Sequence, residues 1–162
     1  LLNKEKVEYI AVHSLDEAAL ARESGWGRNI LIVGYIPISR LESVFDLNLE
    51  PTVYNRETIT ALGKLAAKYN HQANLHLKVE TGTNRQGVEK GKIGNIIATM
   101  KKYPGLILKG VSTNFANIED TTDHSYANSQ LAQFNDIVSI IRKLGINPEY
   151  RHTACSAALL LF

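Results

Sequence analysis

Lys78 and Arg85 are the residues of this sequence whose types and spacing point most directly to chemistry. Apolar and polar side chains alternate from residue 73 to residue 80, which predicts a β-strand with Lys78 on its polar face. A buried ammonium group is costly unless it is paired, deprotonated or chemically modified. We therefore expect Lys78 to act with Glu80, with Arg85 or with an anionic ligand. The alternative is a solvated strand face with ordinary charges.

Arg85 lies between Gly82 and Gly87, which allow the backbone to turn tightly after the predicted strand. Its guanidinium group is a fixed fork that binds carboxylate, phosphate or phenolate, and it does not release its proton. We expect it to be an electrostatic clamp that also lowers the pKa of Lys78, so that a neutral amine is available for modification. The alternative is a loop cation without a special role.

Cys155 and Ser156 lie among small residues in the segment His-Thr-Ala-Cys-Ser-Ala-Ala, residues 152–158. Small residues let backbone amides approach a ligand, and the Ser156 hydroxyl can donate a hydrogen bond, a pattern typical of phosphate binding where a helix begins. A nucleophilic Cys155 activated by His152 is conceivable. A lone cysteine among alanines is more often a small buried apolar residue, and we interpret it so.

Other polar clusters carry weaker signals. The segment 112–120 leaves an apolar run and ends in acidic residues, so it either lines a site or forms a loop. The five histidines do not fall at metal-ligand spacings, and Asp120 with Asp123 and His124 is more typical of a surface loop. We predict no metal site.

Six short β-rich runs alternate with helical patterns, which indicates a βα repeat and a parallel sheet. The runs are residues 9–13, 30–35, 52–54, 75–80, 106–112 and 150–153, and the clearest helices are predicted at 14–24, from Asn55 through 66, at 87–102 and at 125–144. A doubly wound open sheet fits this length, since a (β/α)₈ barrel usually needs about 250 residues. Polar residues after several different strands favour the barrel instead.

Composition excludes several classes of protein. The chain has 162 residues, is 44% hydrophobic, and carries 18 basic and 16 acidic residues without a basic stripe, so neither nucleic acid nor an anionic membrane is an expected partner. One cysteine fits a reducing compartment, and no apolar run approaches the roughly 20 residues of a membrane span. No nucleotide-binding glycine motif follows a strand. We expect a soluble cytoplasmic protein whose sequence begins inside a longer one.

Three segments together resemble the pyridoxal 5'-phosphate (PLP) barrel domain of bacterial alanine racemases. They are residues 78–87 (KVETGTNRQG), 113–116 (TNFA) and 152–158 (HTACSAA), in matching order and spacing, and residues 7–17 and 30–37 resemble the second and third strands of that family. The resemblance implies an α/β fold, a (β/α)₈ barrel of the TIM type, incomplete here with about strands 2 to 7. Residues 1–162 would be part of one cofactor-binding domain, with the first strand, the last strand and the C-terminal β domain absent.

By this resemblance, Lys78 corresponds to a lysine that carries a carbamate and positions Arg85. Arg85 corresponds to the arginine that contacts the phenolic oxygen of the cofactor and the carboxylate of the substrate. These two residues are the catalytic candidates.

The same resemblance assigns the cofactor contacts. Ser156 corresponds to the serine that binds the phosphate, and Val33 lies where the family lines the wall beside the cofactor ring. Two further contacts depart from the pattern. Asn114 replaces a histidine that usually stacks on the pyridine ring, and Cys155 replaces an asparagine, so the substrate preference stays open.

The implied function is a PLP-dependent isomerase, a cytoplasmic homodimer that interconverts L- and D-alanine for peptidoglycan and thus for the cell wall. Its two bases, a Schiff-base lysine on the first strand and a tyrosine of the partner subunit, would lie outside this sequence, so the chain alone is expected to be inactive. The alternatives are a PLP-homeostasis protein with the same barrel, a racemase or decarboxylase for another amino acid, and a non-enzymatic open-sheet binding module.

Overall fold

The computed structural model describes residues 4–116, 118, 122–153 and 155–161 and contains a six-stranded sheet. The strands are β1 (Tyr9–Val12), β2 (Asn29–Ile32), β3 (Glu50–Val53), β4 (Ala73–Lys78), β5 (Leu106–Ser112) and β6 (Tyr150–His152). All neighbouring strands are parallel. The six predicted strands are therefore present, with ends shifted by a few residues. Asp120, from the predicted acidic cluster, lies outside the described residues.

The strand order in space is the order in the chain, from β1 to β6. A doubly wound sheet reverses its strand order at a switch point, so this order rules that architecture out. The sheet instead curls like part of a (β/α)₈ barrel, and its curl brings the ring of Tyr9 in β1 against that of Tyr150 in β6, with centroids 5.2 Å apart. The length argument for an open sheet was therefore wrong, and the fold is an α/β half-barrel.

Helices cover the outer face of the sheet. They are α1 (Leu15–Glu23), α2 (Ser43–Asp46), α3 (Arg56–Tyr69), α4 (Ile93–Met100), α5 (Ser125–Lys143) and α6 (Ser156–Leu161), with short 3₁₀ turns at Ile38–Arg40 and Lys90–Lys92. Their apolar faces pack against outward strand residues such as Leu75 and Leu77, both fully buried. Leu131 falls in the helical pattern of α5 with the apolar residues Phe134, Ile137 and Val138, but unlike them it is 39% exposed. None of the described helices is both long and apolar enough to cross a bilayer.

Side-chain caps explain where two of the helices begin. The Ser14 hydroxyl accepts the N–H of Glu17 at 3.2 Å, and Oδ1 of Asn55 accepts the N–H of Thr58 at 2.8 Å. The carboxylate of Glu17 accepts the N–H of His13 at 2.6 Å. Ser14 and Glu17 have the spacing of a capping box, but the second bond goes to His13, the residue before the cap, instead of to Ser14 itself.

The predicted helix 87–102 is the main departure from the sequence analysis, because α4 begins only at Ile93. Val88 instead forms a parallel bridge with Val79, and Gly87 has a φ of +141°, which favours glycine. Residues 79–88, which we call the Arg85 loop, therefore fold back onto the end of β4. This closure holds Arg85 at the carboxyl end of the sheet.

Candidate functional site

The carboxyl ends of the strands surround a cavity of about 520 Å³. Each strand contributes to its wall: His13 after β1, Val33 after β2, Thr52 in β3, Lys78 in β4, Ser112 in β5 and Thr153 after β6. The register of the sheet places Lys78 beside Ser112, and Ser112 beside His152. The end of the sheet at which this cavity lies is where barrel enzymes build their active sites.

Four of the predicted site residues line this cavity. They are Val33, Lys78, Arg85 and Asn114, which come from the ends of β2, β4 and β5 and from the Arg85 loop. Strand ends far apart in the chain are thus brought together, as the βα repeat predicts. The roles assigned to these side chains by resemblance stay predictions.

Cys155 and Ser156 are not among the described residues that line the cavity. Cys155 is half-buried and packs against a small apolar cluster that contains Ala127 and Ala158. Ser156 is exposed as the first residue of α6. The packing of Cys155 fits its interpretation as a small apolar residue, and the phosphate contact of Ser156 stays a prediction.

Lys78 and Arg85 form no ion pair with any described carboxylate. Partial burial of Lys78, and then the charge of Arg85, lower the pKa of the lysine, while the charge of Glu80 acts in the opposite direction. The predicted effect of Arg85 on the lysine is therefore present. Two cations at one cavity without a carboxylate partner suit a ligand that brings its own negative charge.

Glu80 shapes the Arg85 loop instead of pairing with Lys78. Its Oε1 accepts the N–H of Gly82 at 2.5 Å. Burial raises the pKa of Glu80, but hydrogen bonds from the backbone N–H groups of residues 82–85 outweigh that effect and hold the pKa low. An ionised carboxylate at the centre of the turn therefore fixes the backbone from which Arg85 projects.

A buried carboxylate, Glu50, lies in the barrel interior and is only 4% exposed. It accepts hydrogen bonds from the hydroxyl of Tyr9 at 3.0 Å and from Nζ of Lys109 at 2.7 Å, and its Oε2 lies 3.0 Å from Nε2 of His76. Burial raises the pKa of Glu50, but the hydrogen bonds from these three partners outweigh it and lower the pKa overall. The charge is thus both paired and hydrogen-bonded, as a buried charge must be.

A β-bulge in β5 brings Lys109 to this carboxylate. The register between β4 and β5 shifts after Leu75, so that His76 lies opposite Gly110. A Cβ on Gly110 would overlap the His76 ring, so the interior side of this glycine is filled by the imidazole. The extra residue of the bulge lets Lys109 and Gly110 both face the interior, where one supplies the ammonium group and the other leaves room for the ring.

His152 links the buried cluster to the cavity. Its Nε2 lies 3.2 Å from Nδ1 of His76, and its side chain also lines the cavity. Partial desolvation, followed by repulsion from His76 and Lys78, lowers the pKa of His152 to about 4. The imidazole is therefore neutral near neutral pH. One of its ring nitrogens carries a proton and donates a hydrogen bond, and the other accepts one.

The interior cluster around Glu50 and one buried amide, Gln130, were not predicted from the sequence. The available signals were charged residues inside β-rich runs, at Glu50 and Lys109, and a glutamine on the apolar stripe of α5 between Ala127 and Phe134. Each of these three polar residues occupies a position where the pattern of apolar and polar residues predicts an apolar side chain.

Comparisons with known proteins match the whole chain to one family. The family model described as alanine racemase, N-terminal domain, matches residues 1–162. An alanine racemase of Treponema denticola is 33% identical over 159 residues, 96% of this chain and 42% of that protein. Alanine racemase 1 of Caldanaerobacter subterraneus subsp. tengcongensis is 33% identical over 160 residues, 98% of this chain and 41% of that protein.

Solved structures give the same result for the fold. An alanine racemase of Clostridium difficile 630 superposes with a TM-score of 0.91 at 28% identity, covering 98% of this chain and 44% of that chain. The chain therefore spans less than half the length of the relatives that it matches.

Proposed function

We propose that this chain, which belongs to the family of alanine racemase N-terminal domains, is the PLP-binding part of an enzyme that interconverts L- and D-alanine. The single observation that carries the proposal is the cavity at the strand ends, where Lys78 and Arg85 lie without an ion pair to any described carboxylate. The curated relatives named above are alanine racemases, which favours a racemase over the homeostasis protein.

The residues of the cavity fit PLP by their chemistry. The cofactor carries a phosphate and a phenolic oxygen, and the substrate adds a carboxylate, so the complex needs cations that are not already neutralised. Arg85 supplies a fork for the phenolic oxygen or the carboxylate. Val33 supplies an apolar surface beside the ring, Asn114 an amide, and Ser156 the phosphate contact proposed by resemblance.

When bound, PLP supplies an electron sink for the carbanion formed at the substrate's Cα. Arg85 would hold the substrate carboxylate, because its guanidinium stays charged and binds two oxygens at once. Lys78, proposed to carry a carbamate, would hold Arg85 in place by an opposite charge. His152, with its pKa of about 4, would stay neutral and add no second positive charge beside Arg85.

The remaining parts of the active enzyme are proposed to lie outside the 162 residues. They are the first and last barrel strands, the C-terminal β domain, the Schiff-base lysine and the tyrosine base of the partner subunit. We propose that the full-length protein is a cytoplasmic homodimer whose D-alanine enters the cell wall. A racemase or decarboxylase for another amino acid is the second candidate, because Asn114 and Cys155 replace the residues that the family usually has.

The test uses the full-length protein with PLP and L-alanine. We expect an absorbance of protein-bound cofactor and a progressive loss of optical purity of the alanine. Arg85→Ala and Ser156→Ala should each weaken cofactor binding, whereas Arg142→Ala, at an exposed arginine of α5, should not. Bound cofactor without racemisation of alanine would favour the homeostasis protein or another substrate. Unchanged cofactor binding in both site variants would remove the site assignment.

A further inference from the structure

Two segments that carry predicted site residues end against the same helix. The first is the Arg85 loop, and the second is the Asn114 loop, which we define as residues 113–116. Gln130 of α5 lies between them and is fully buried, although it occupies the apolar stripe of its helix. A buried primary amide is costly unless its donors and its acceptor are all bonded.

The amide of Gln130 is bonded to both loops. Its Oε1 accepts the N–H of Ala116 at 3.0 Å, and its Nε2 donates to the carbonyl oxygen of Asn114 at 3.2 Å. The same Nε2 lies 3.5 Å from Oγ1 of Thr81 in the Arg85 loop. The Gln130 side chain therefore bonds to the backbone of the Asn114 loop and to the Thr81 hydroxyl of the Arg85 loop, two segments that lie far apart in the sequence.

Three further bonds complete this junction. The hydroxyl of Tyr126 donates to the carbonyl oxygen of Gly82 at 2.8 Å. The hydroxyl of Thr83 donates to the Asn114 carbonyl at 2.6 Å, and the Thr81 and Thr113 hydroxyls lie 2.7 Å apart. The Tyr126 bond lies at the exposed edge of the junction, whereas the bonds among Gln130, Thr81 and Thr113 are buried. Hydrogen bonds that share groups in a buried setting reinforce one another.

The junction uses backbone atoms and threonine hydroxyls of the loops, and it leaves the side chains of Arg85 and Asn114 to the cavity. Arg85 and Asn114 both line the cavity, and neither side chain bonds to Gln130. A shift of either loop by about 1 Å would separate the guanidinium and the amide from a shared ligand, and misplacements of this size are costly for binding and catalysis.

We propose that Gln130 is a positioning residue that fixes Arg85 and Asn114 relative to each other, with Tyr126 as its support on the Arg85 side. The inference rests on the proposed function, because it concerns the same cavity. It adds a residue on the outer helix layer that does not touch the cavity itself.

Gln130→Glu in the full-length protein is the sharpest test, because it keeps the shape and the acceptor but removes both N–H donors. Gln133→Glu, at an exposed position of the same helix, introduces the same charge and is the matched control. We expect Gln130→Glu to raise the KM for alanine and the dissociation constant of PLP by about tenfold or more, because it removes one or two buried hydrogen bonds and places a carboxyl group at a fully buried position. Gln133→Glu should change neither quantity.

Hydrogen exchange without cofactor provides a second readout that does not depend on activity. Gln130→Glu should speed amide exchange in both loops at once, whereas Tyr126→Phe, which removes only the bond to Gly82, should speed it in the Arg85 loop alone. If Gln130→Glu does not fold, Tyr126→Phe with its loop-specific exchange and a raised KM decides the question.

The inference is overturned if Gln130→Glu matches Gln133→Glu in KM and loop exchange, or if Tyr126→Phe leaves exchange in the Arg85 loop unchanged. A wild-type protein that binds no PLP overturns the proposed function instead. In that case the exchange experiment still reports whether Gln130 couples the two loops.

Discussion

Nδ1 of His76 lies 3.2 Å from Nε2 of His152, so the buried carboxylate Glu50 and the cavity are joined by one chain of hydrogen-bonding groups. An ionised carboxylate can only accept hydrogen bonds. Nε2 of His76 is therefore protonated and donates its hydrogen bond to Glu50. Where Nδ1 of His76 carries no proton, it accepts the Nε2–H of His152, and where it carries one, it donates to Nε2 of His152. The proton at Nδ1 of His76 therefore decides which tautomer the neutral His152 ring adopts at the cavity wall.

The low pKa of His152 predicts how stability depends on pH. The pKa is about 4 in the folded protein, against about 6.5 for an ordinary histidine. Between these values the unfolded chain binds a proton and the folded chain does not, so the free energy of unfolding falls as the pH is lowered from about 6.5 to about 4. His152→Gln should reduce this slope in denaturant titrations of the full-length protein. His71→Gln, at an exposed histidine, should keep the wild-type slope, and an equal slope in all three proteins would contradict the prediction.

Glu50→Gln should lower stability strongly, because it leaves the ammonium group of Lys109 in the barrel interior without its anion. Removing one partner of a buried ion pair costs about 3 kcal/mol in the free energy of unfolding. Replacing both partners, as Glu50→Gln with Lys109→Met, should recover part of that loss. Denaturant titration of the wild type and of both variants measures these free energies of unfolding.

Glu42→Gln is the matched control for the buried pair. Glu42 forms an ion pair with Lys68 at 2.8 Å on the exposed surface, so its loss should have little effect. Similar losses in Glu42→Gln and Glu50→Gln would show that Glu50 and Lys109 are not coupled as the structure indicates.

Local features of the fold were predictable from the sequence because they depend on neighbours in the chain. The alternation of residues 73–80 predicted β4 with Lys78 on its polar face, and the helix predicted from Asn55 is α3, which Asn55 caps. The prediction of a helix that begins at Gly87 was wrong. The apolar Val88 fits the stripe of a helix as well as it fits a strand. Its pairing with Val79 depends on the closure of the Arg85 loop, which no local pattern reports.

The cavity was predictable in outline for a different reason. The ends of parallel strands meet at one edge, so Lys78 and Asn114 had to be near one another once the sheet was recognised. The junction at Gln130 and the cluster at Glu50 depend on which helix packs on which loop and on a bulge at Lys109. Those are long-range packing relationships, and a sequence shows them only as polar residues in apolar positions.

Gly82→Ala should disturb the Arg85 loop. Gly82 has a φ of +131°, and a Cβ there would overlap the hydroxyl of Tyr126. A side chain in the left-handed region costs about 1 to 2 kcal/mol before the overlap is counted, so we expect lower stability and a raised dissociation constant for PLP. Because Tyr126→Phe removes the overlapping oxygen, the double variant should be less impaired than the sum of the two single variants.

Gly94→Ala is the control for this prediction. Gly94 is exposed in α4 with open space at its Cβ position, so alanine there should stabilise the helix by about 1 kcal/mol and leave PLP binding unchanged. Additive effects of Gly82→Ala and Tyr126→Phe would mean that the tyrosine hydroxyl does not lie over the glycine.

Lys78 should carry a carbamate in the full-length protein. Partial burial and the charge of Arg85 lower the pKa of Lys78, which increases the fraction of neutral amine at a given pH. The amine nitrogen forms a bond to the carbon of CO₂ and releases a proton, which converts a cation into an anion beside Arg85. ¹³C NMR after incubation with labelled bicarbonate should show one carbamate signal that weakens as the pH is lowered, since protonation removes the nucleophile.

Lys78→Met should abolish that signal and raise the KM for alanine, because Arg85 loses the anion that holds it. Lys90→Met is the matched control, since Lys90 is exposed and its ammonium group is already paired with Asp136 at 3.0 Å. The signal should persist in this variant. A carbamate signal that survives Lys78→Met, or a fully loaded active protein without one, would leave the lysine as an unmodified cation and would require another anion to orient Arg85.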